Sequence, residues 1–104
     1  MTHLPLSFSS ELDRTTSRLV LHGDLDEGAC VVLRDEIEAA SASLTSGLTI
    51  DLSDVDFLPS AAVGVVATAQ ARAAKNGAEL ELVAREGSIA QRVLSICGVR
   101  YSTS

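Results

Sequence analysis

Apolar positions along the chain change period several times, and each change marks an element. Residues 4–8 alternate apolar side chains with Pro5 and Ser7, which predicts a first strand continuing toward Leu12. After a polar turn over 13–17, residues 18–22 (RLVLH) are dense in strand formers and stop at Gly23, so the two segments predict a hairpin. The period then becomes helical. Cys30, Leu33, Ile37, Ala40 and Leu44 recur on one side of a helix predicted over 29–44, with Arg34, Asp35, Glu36 and Glu38 filling most of the other side. Gly47 ends it, and Asp26 or Glu27 in the preceding GDLDEG loop supplies a cap.

Residues 48–52 (LTIDL) form a short β-rich run between Gly47 and Ser53, the pattern of a central strand. Beyond Pro59 a small-residue helix is expected from Ser60 or Ala61 to Asn76-Gly77, where glycine tolerates the left-handed backbone of a helix end. Residues 79–83 (ELELV) alternate, with Leu80 and Leu82 inward. Ser88 then caps a last helix with Ile89, Val93, Ile96 and Cys97 on one side, closed by Gly98, and residues 99–101 suit a short final strand. The order is β-β-α-β-α-β-α with an optional last strand. It predicts a single α/β domain over residues 1–104, with a central mixed sheet of four or five strands and crossover helices packed against it.

Composition narrows the functional classes. Fourteen acids against eight Lys and Arg give a formal charge of −6. That balance disfavours a nucleic-acid backbone and an anionic membrane surface as partners. The excess is uneven: residues 11–56 hold eleven acids and three bases, whereas residues from 57 onward hold three acids and five bases. An acidic half of this kind suits a basic patch on a protein partner. The aromatic content of 3% offers no stacking platform for single-stranded nucleic acid. The longest apolar run, 61–69, is interrupted by Gly64 and Thr68 and is too short for membrane insertion. Cys30 and Cys97 stand alone inside apolar helical patterns, without a CxxC and without a secretory apolar segment before the fold, so both are expected as core thiols of a cytoplasmic protein.

The catalytic inventory is poor, and no enzyme is expected. His3 and His22 have no Ser or Cys partner in a recognisable constellation, and no HExxH, Walker A or GxGxxG is present, so no cofactor is expected either. Asp51, Asp54 and Asp56 cluster in sequence but lack the glycine and terminal glutamate of a calcium loop; a strand end followed by a polar loop explains them without a metal.

Three segments together carry a resemblance: Gly23-Asp24-Leu25-Asp26 closing a strand, the strand 48–52, and the loop Phe57-Leu58-Pro59-Ser60-Ala61-Ala62-Val63-Gly64. In this order, with a helix between the first two, they resemble the STAS domain of bacterial anti-sigma factor antagonists, and the likeness extends over nearly the whole chain. The resemblance implies a non-catalytic protein-binding module. Its partner would be an anti-sigma factor of the histidine-kinase-like ATPase type, and binding would take place through the end of the domain bearing Asp26, Pro59, Ser60, Ala61 and Ala62. In that family the partner phosphorylates the second hydroxyl residue of a D-S-[ST]-G loop, and the modification weakens binding.

This chain departs from the signature at the switch itself. Pro59 stands at the family's Asp, Ser60 at the first hydroxyl, Ala61 at the phosphorylated position and Ala62 at the glycine. Alanine accepts no phosphoryl group, so the resemblance implies an antagonist without phosphoregulation at the usual position. Ser60 has two readings, a helix N-cap and a displaced phosphoacceptor. Asp26 likewise reads as a cap or as a partner contact, and Gly64 as a functional loop feature or, by preference, as a residue that lets its helix pack closely. Two other functions fit the same resemblance: a regulatory or scaffold subunit of a larger signalling or membrane-transport assembly, and a small-ligand or nucleotide sensor.

Overall fold

The computed structural model describes residues 8–103. Strand β1 (Phe8–Asp13) and strand β2 (Arg18–Asp24) form an antiparallel hairpin, and the chain continues through helix α1 (Glu27–Ala40) into strand β3 (Leu48–Phe57). Helix α2 (Ser60–Lys75), strand β4 (Leu80–Ala84), helix α3 (Ile89–Ile96) and the two-residue strand β5 (Ser102–Thr103) complete it. The five strands lie in sequence order, with β1 antiparallel and every other neighbouring pair parallel. A helix follows each of β2, β3 and β4, as parallel pairing requires of its connections. The mixed α/β sheet with crossover helices is thus the architecture expected from the sequence.

Alternation sets the core. Leu19 and Leu21 of β2, Leu48, Ile50 and Leu52 of β3, and Leu80, Leu82 and Ala84 of β4 are buried, and α1 and α2 contribute Leu33, Ile37, Ala62, Val66 and Ala73. Among the other alternate positions of the sheet, polar contacts link the strands: an ion pair joins Arg18 to Asp51 at 2.7 Å, and the His22 ring lies 2.9 Å from the Glu11 carboxylate and 3.4 Å from that of Asp54. Arg85 reaches Asp54 at 2.9 Å. Asp51 and Asp54 are therefore committed to cations of the protein, which accounts for them as structural carboxylates.

Several boundaries differ from the sequence expectation, each for a local reason. The first strand runs 8–13; its expected beginning at residues 4–7 lies outside the described residues. Helix α1 ends at Ala40, not residue 44. The buried Ser41 hydroxyl donates to the Ile37 carbonyl at 2.6 Å and accepts from the Leu44 amide at 3.0 Å, replacing the next helical turn. Ala42, Ser43 and Leu44 take positive φ there, yet Leu44 still reaches the core. Strand β3 extends to Phe57 because an irregular register with β2 carries pairing past Leu52, so Asp54 and Asp56 belong to a strand rather than a loop. The last strand forms at 102–103 rather than 99–101.

Helix α3 shows the largest reversal. Ala90 and Leu94 face the core, while Ile89 and Ile96 are exposed. Cys97 is exposed as well, against the expectation of two core thiols; only Cys30 is buried. Burial raises the Cys30 thiol pKa, with the nearby Asp26 carboxylate adding to the effect.

Candidate functional site

The C-terminal ends of β2 and β3 lie side by side, with Asp24 in register with Phe57. Past the strand ends, the Leu25 amide donates to the Phe57 carbonyl at 2.9 Å, and the Leu25 side chain is wholly buried. This bond and this anchor join the two loops from which α1 and α2 start. Gly23, at φ 87°, takes the positive φ that glycine tolerates where the β2–β3 register shifts, just before the first loop.

Asp26 is the N-cap of α1. Its backbone is extended (φ −71°, ψ −174°), and its carboxylate accepts from the Ala29 amide at 2.9 Å, satisfying one of the orphan donors of the first turn. The capping reading of Asp26 is what the geometry displays, and the residue remains exposed.

The second helix begins differently. Its N-cap is Pro59 (φ −74°, ψ 166°), which makes no side-chain cap bond; the first helical hydrogen bond runs from the Val63 amide to the Pro59 carbonyl at 3.1 Å. Ser60 is the first helical residue, so the expectation that it caps the helix is corrected. Proline ahead of it already holds the extended backbone a cap needs and pushes Ser60 one position inward. Ser60 and Ala61 are exposed. Ala62 is fully buried among the core residues, so whatever it contributes to docking passes through the position of the helix rather than its own methyl.

Ala61 lines a groove of about 260 Å³ between α1 and α2, with Arg34, Glu38, Gly64, Thr68 and Arg72 among its walls; Ser60 does not line it. Gly64 sits on the exposed side of α2, where an added Cβ would meet nothing within 4 Å. The structure therefore removes the packing explanation for this glycine.

Phe57 opens the loop that carries the resemblance, but nothing in the sequence assigns it to binding. It is 51% exposed at the end of β3 and holds the backbone contact to Leu25. An exposed aromatic ring beside two helix N-termini is the kind of anchor protein interfaces use. Its signal in the sequence was its place after two aspartates, beyond the buried alternation of the strand.

Among the described residues no group of three or more His, Cys, Asp or Glu side chains is placed to hold a metal, and no helix is long and apolar enough to cross a membrane. What this end of the molecule offers is a rigid pair of loops, an aromatic ring, a carboxylate and an open helix N-terminus.

The family model described as "Mlab, STAS domain" matches residues 8–99. The chain belongs to the STAS domain family. Among solved structures, this STAS domain is similar to an anti-sigma factor antagonist from Mycobacterium paratuberculosis, at 25% sequence identity and a TM-score of 0.71, over 88% of this chain and 79% of that one. It also shares its fold with the anti-sigma factor antagonist SpoIIAA in its unphosphorylated form, at 19% identity and a TM-score of 0.69, over 93% of this chain and 87% of that one. As a STAS domain it is a non-catalytic regulatory module that binds protein. The loops at 23–26 and 57–64, which carried the resemblance in the sequence, are the two that Leu25 and Phe57 join here.

Proposed function

We propose that this STAS domain is a cytoplasmic antagonist that docks an anti-sigma factor of the histidine-kinase-like ATPase type, and that it does so without phosphoregulation at the usual position. The observation that carries the reading is the start of α2: an exposed helix N-terminus without a side-chain cap, presenting Ser60 and Ala61 beside the loop of Asp26. The first amides of such a helix favour an acceptor from a partner. A phosphate at residue 61 would place roughly −1.5 to −2 charges there and reorganise the contact. Alanine removes that option and keeps the surface neutral. Ser60 is one residue away but rotated by about 100° around the helix, and phosphoryl transfer tolerates little misplacement. The similarity to anti-sigma factor antagonists supports the choice of partner.

The test captures the binding partner from native lysate, adds ATP, and follows the intact mass of the domain. An unmodified chain that stays bound to an ATPase of this type is the expected result, and Ala61→Ser should then gain one phosphate at residue 61 and lose affinity. One phosphate at Ser60 in the wild type would mean that the switch has moved by one position. Capture of a membrane-transport ATPase complex in place of an anti-sigma factor would overturn the partner and favour the regulatory-subunit reading.

A further inference from the structure

The uneven charge of the chain acquires a shape in the fold. On α1, Glu27, Val31 and Asp35 follow one another at intervals of four and so share a face, with Val31 exposed between the two acids and Val32 exposed beside it. The same helix start borders an apolar groove of about 430 Å³ whose walls include Phe8, Gly28, Ala29 and Val32, with Asp26 also lining it. On α3, Ile89, Arg92 and Ile96 recur at intervals of three and four, forming a ridge on the side away from the buried Ala90 and Leu94. Ile96 is 78% exposed, and Arg92 is exposed between the two isoleucines, with exposed Arg85 and Arg100 close in sequence on either side of the helix.

One surface is thus an acid–aliphatic–acid face of α1, flanking a groove whose own charged wall is Asp26. The other is a projecting aliphatic–cation–aliphatic ridge. Two large β-branched side chains left in water on an eight-residue helix are costly unless something covers them. The charge on each surface excludes its own kind and matches the other.

We infer that the α3 ridge of one copy of this chain seats against the α1 groove of the next, head to tail. Ile89 and Ile96 pack on the exposed Val31 and Val32 beside the groove, and Arg92 meets Glu27 and Asp35. The contact is heterologous, so a pair of copies keeps one open groove and one open ridge, and association builds short chains or rings rather than a closed pair. Helix α3 is about 12 Å long, so the buried area falls below the roughly 1,000 Å² of a stable interface. The association is therefore weak, appearing at about 0.1 mM and above, and it weakens further with salt. This inference does not rest on the anti-sigma reading. The α1 groove includes Asp26, so a docked partner would compete with self-association.

Sedimentation velocity on the isolated domain, from about 10 μM to about 1 mM, tests it. Wild type should show a concentration-dependent rise in sedimentation coefficient that diminishes in high salt. Arg92→Glu should weaken it at least tenfold, as should Ile96→Asp and the double variant Glu27→Arg/Asp35→Arg. Circular dichroism melts check that these surface changes leave folding intact. The decisive arm mixes Arg92→Glu with the Glu27→Arg/Asp35→Arg chain: each retains the half that the other lacks, so the mixture should associate where neither variant does alone. A mixture that stays monomeric overturns the head-to-tail arrangement. A wild type that is monomeric at about 1 mM overturns the inference altogether.

Discussion

Helices α1 and α2 start from neighbouring strand ends, yet they are finished in opposite ways. At α1 a carboxylate closes the first turn: Asp26 accepts from Ala29, and the backbone there is held. At α2 a proline holds the same extended geometry without offering a side-chain acceptor, and the following Ser60 and Ala61 stand exposed. A capped terminus has one of its orphan donors satisfied from within, whereas an uncapped one leaves its donors to solvent or to a partner. The difference suggests a division of labour. The α1 loop is braced, and the α2 loop is left available.

The largest test of that comparison attacks what the two starts share. Leu25→Ala removes a wholly buried side chain beneath both loops and should destabilise the domain by about 2–5 kcal/mol, read from chemical denaturation. If the loops were independent, hydrogen exchange would rise only around residue 25; the Leu25–Phe57 bond predicts that it also rises around 57–63. The next test removes the brace. Asp26→Ala should cost about 1 kcal/mol through the lost cap, and a partner affinity that is unchanged once stability is allowed for would confine Asp26 to that role.

Gly64 sharpens the other side. A glycine inside a helix costs roughly 0.5–1 kcal/mol relative to alanine, and a Cβ there would meet nothing. Gly64→Ala should therefore raise stability by about that amount in a thermal melt. If it also weakens partner binding, the missing Cβ serves the interface rather than the fold.

A smaller effect separates the sheet from the loops by pH. Burial works against the charge of Asp51, but the hydrogen bonds from Ser53 and Arg18, with the Arg18 charge, outweigh it and hold its pKa below the ordinary aspartate value. A lowered folded-state pKa contributes stability above the unfolded value, and that stability is lost as pH falls through the folded one. The penalty of Asp51→Asn, measured at pH 7, should thus shrink as pH drops below about 3.8. The Arg18 side chain is 38% exposed, so solvent screening keeps the whole effect modest. The smallest change is expected for Pro59→Ser. The cap gained, about 1 kcal/mol, is offset by the roughly 0.4–1 kcal/mol that proline contributes by restricting the unfolded chain. Slower amide exchange at Ala61 and Ala62 with little change in stability would show that the open terminus had been closed.

Much of this was legible in the sequence because periodicity and punctuation act locally. The strand alternation at 18–22 and 48–52, the apolar stripe Cys30–Leu33–Ile37, and the Asn76-Gly77 stop each depend on a few neighbouring residues, and each reappears in the fold. The candidate site was legible for the same reason, since its two loops are contiguous motifs and Asp26 precedes a helix where a cap belongs. Ser41 misled the reading because its hydroxyl looks like any other polar surface group until burial forces it to bond the Ile37 carbonyl and the Leu44 amide. The α3 stripe misled it because an eight-residue helix carries two overlapping apolar faces, and periodicity alone does not choose between Ile89–Val93–Ile96 and Ala90–Leu94.

The sequence by itself determined the order of elements, the mixed sheet, the acidic and basic halves, and the alanine at position 61 that accepts no phosphate. Only the tertiary structure decided that Ser60 lies inside its helix rather than capping it, that Gly64 faces open space, that Phe57 is exposed while Leu25 locks beneath it, and that Ile89 and Ile96 stand in solvent. The first set follows from chain-local chemistry. The second depends on which face of each element meets the sheet, and that choice is made by contacts between residues far apart in the chain.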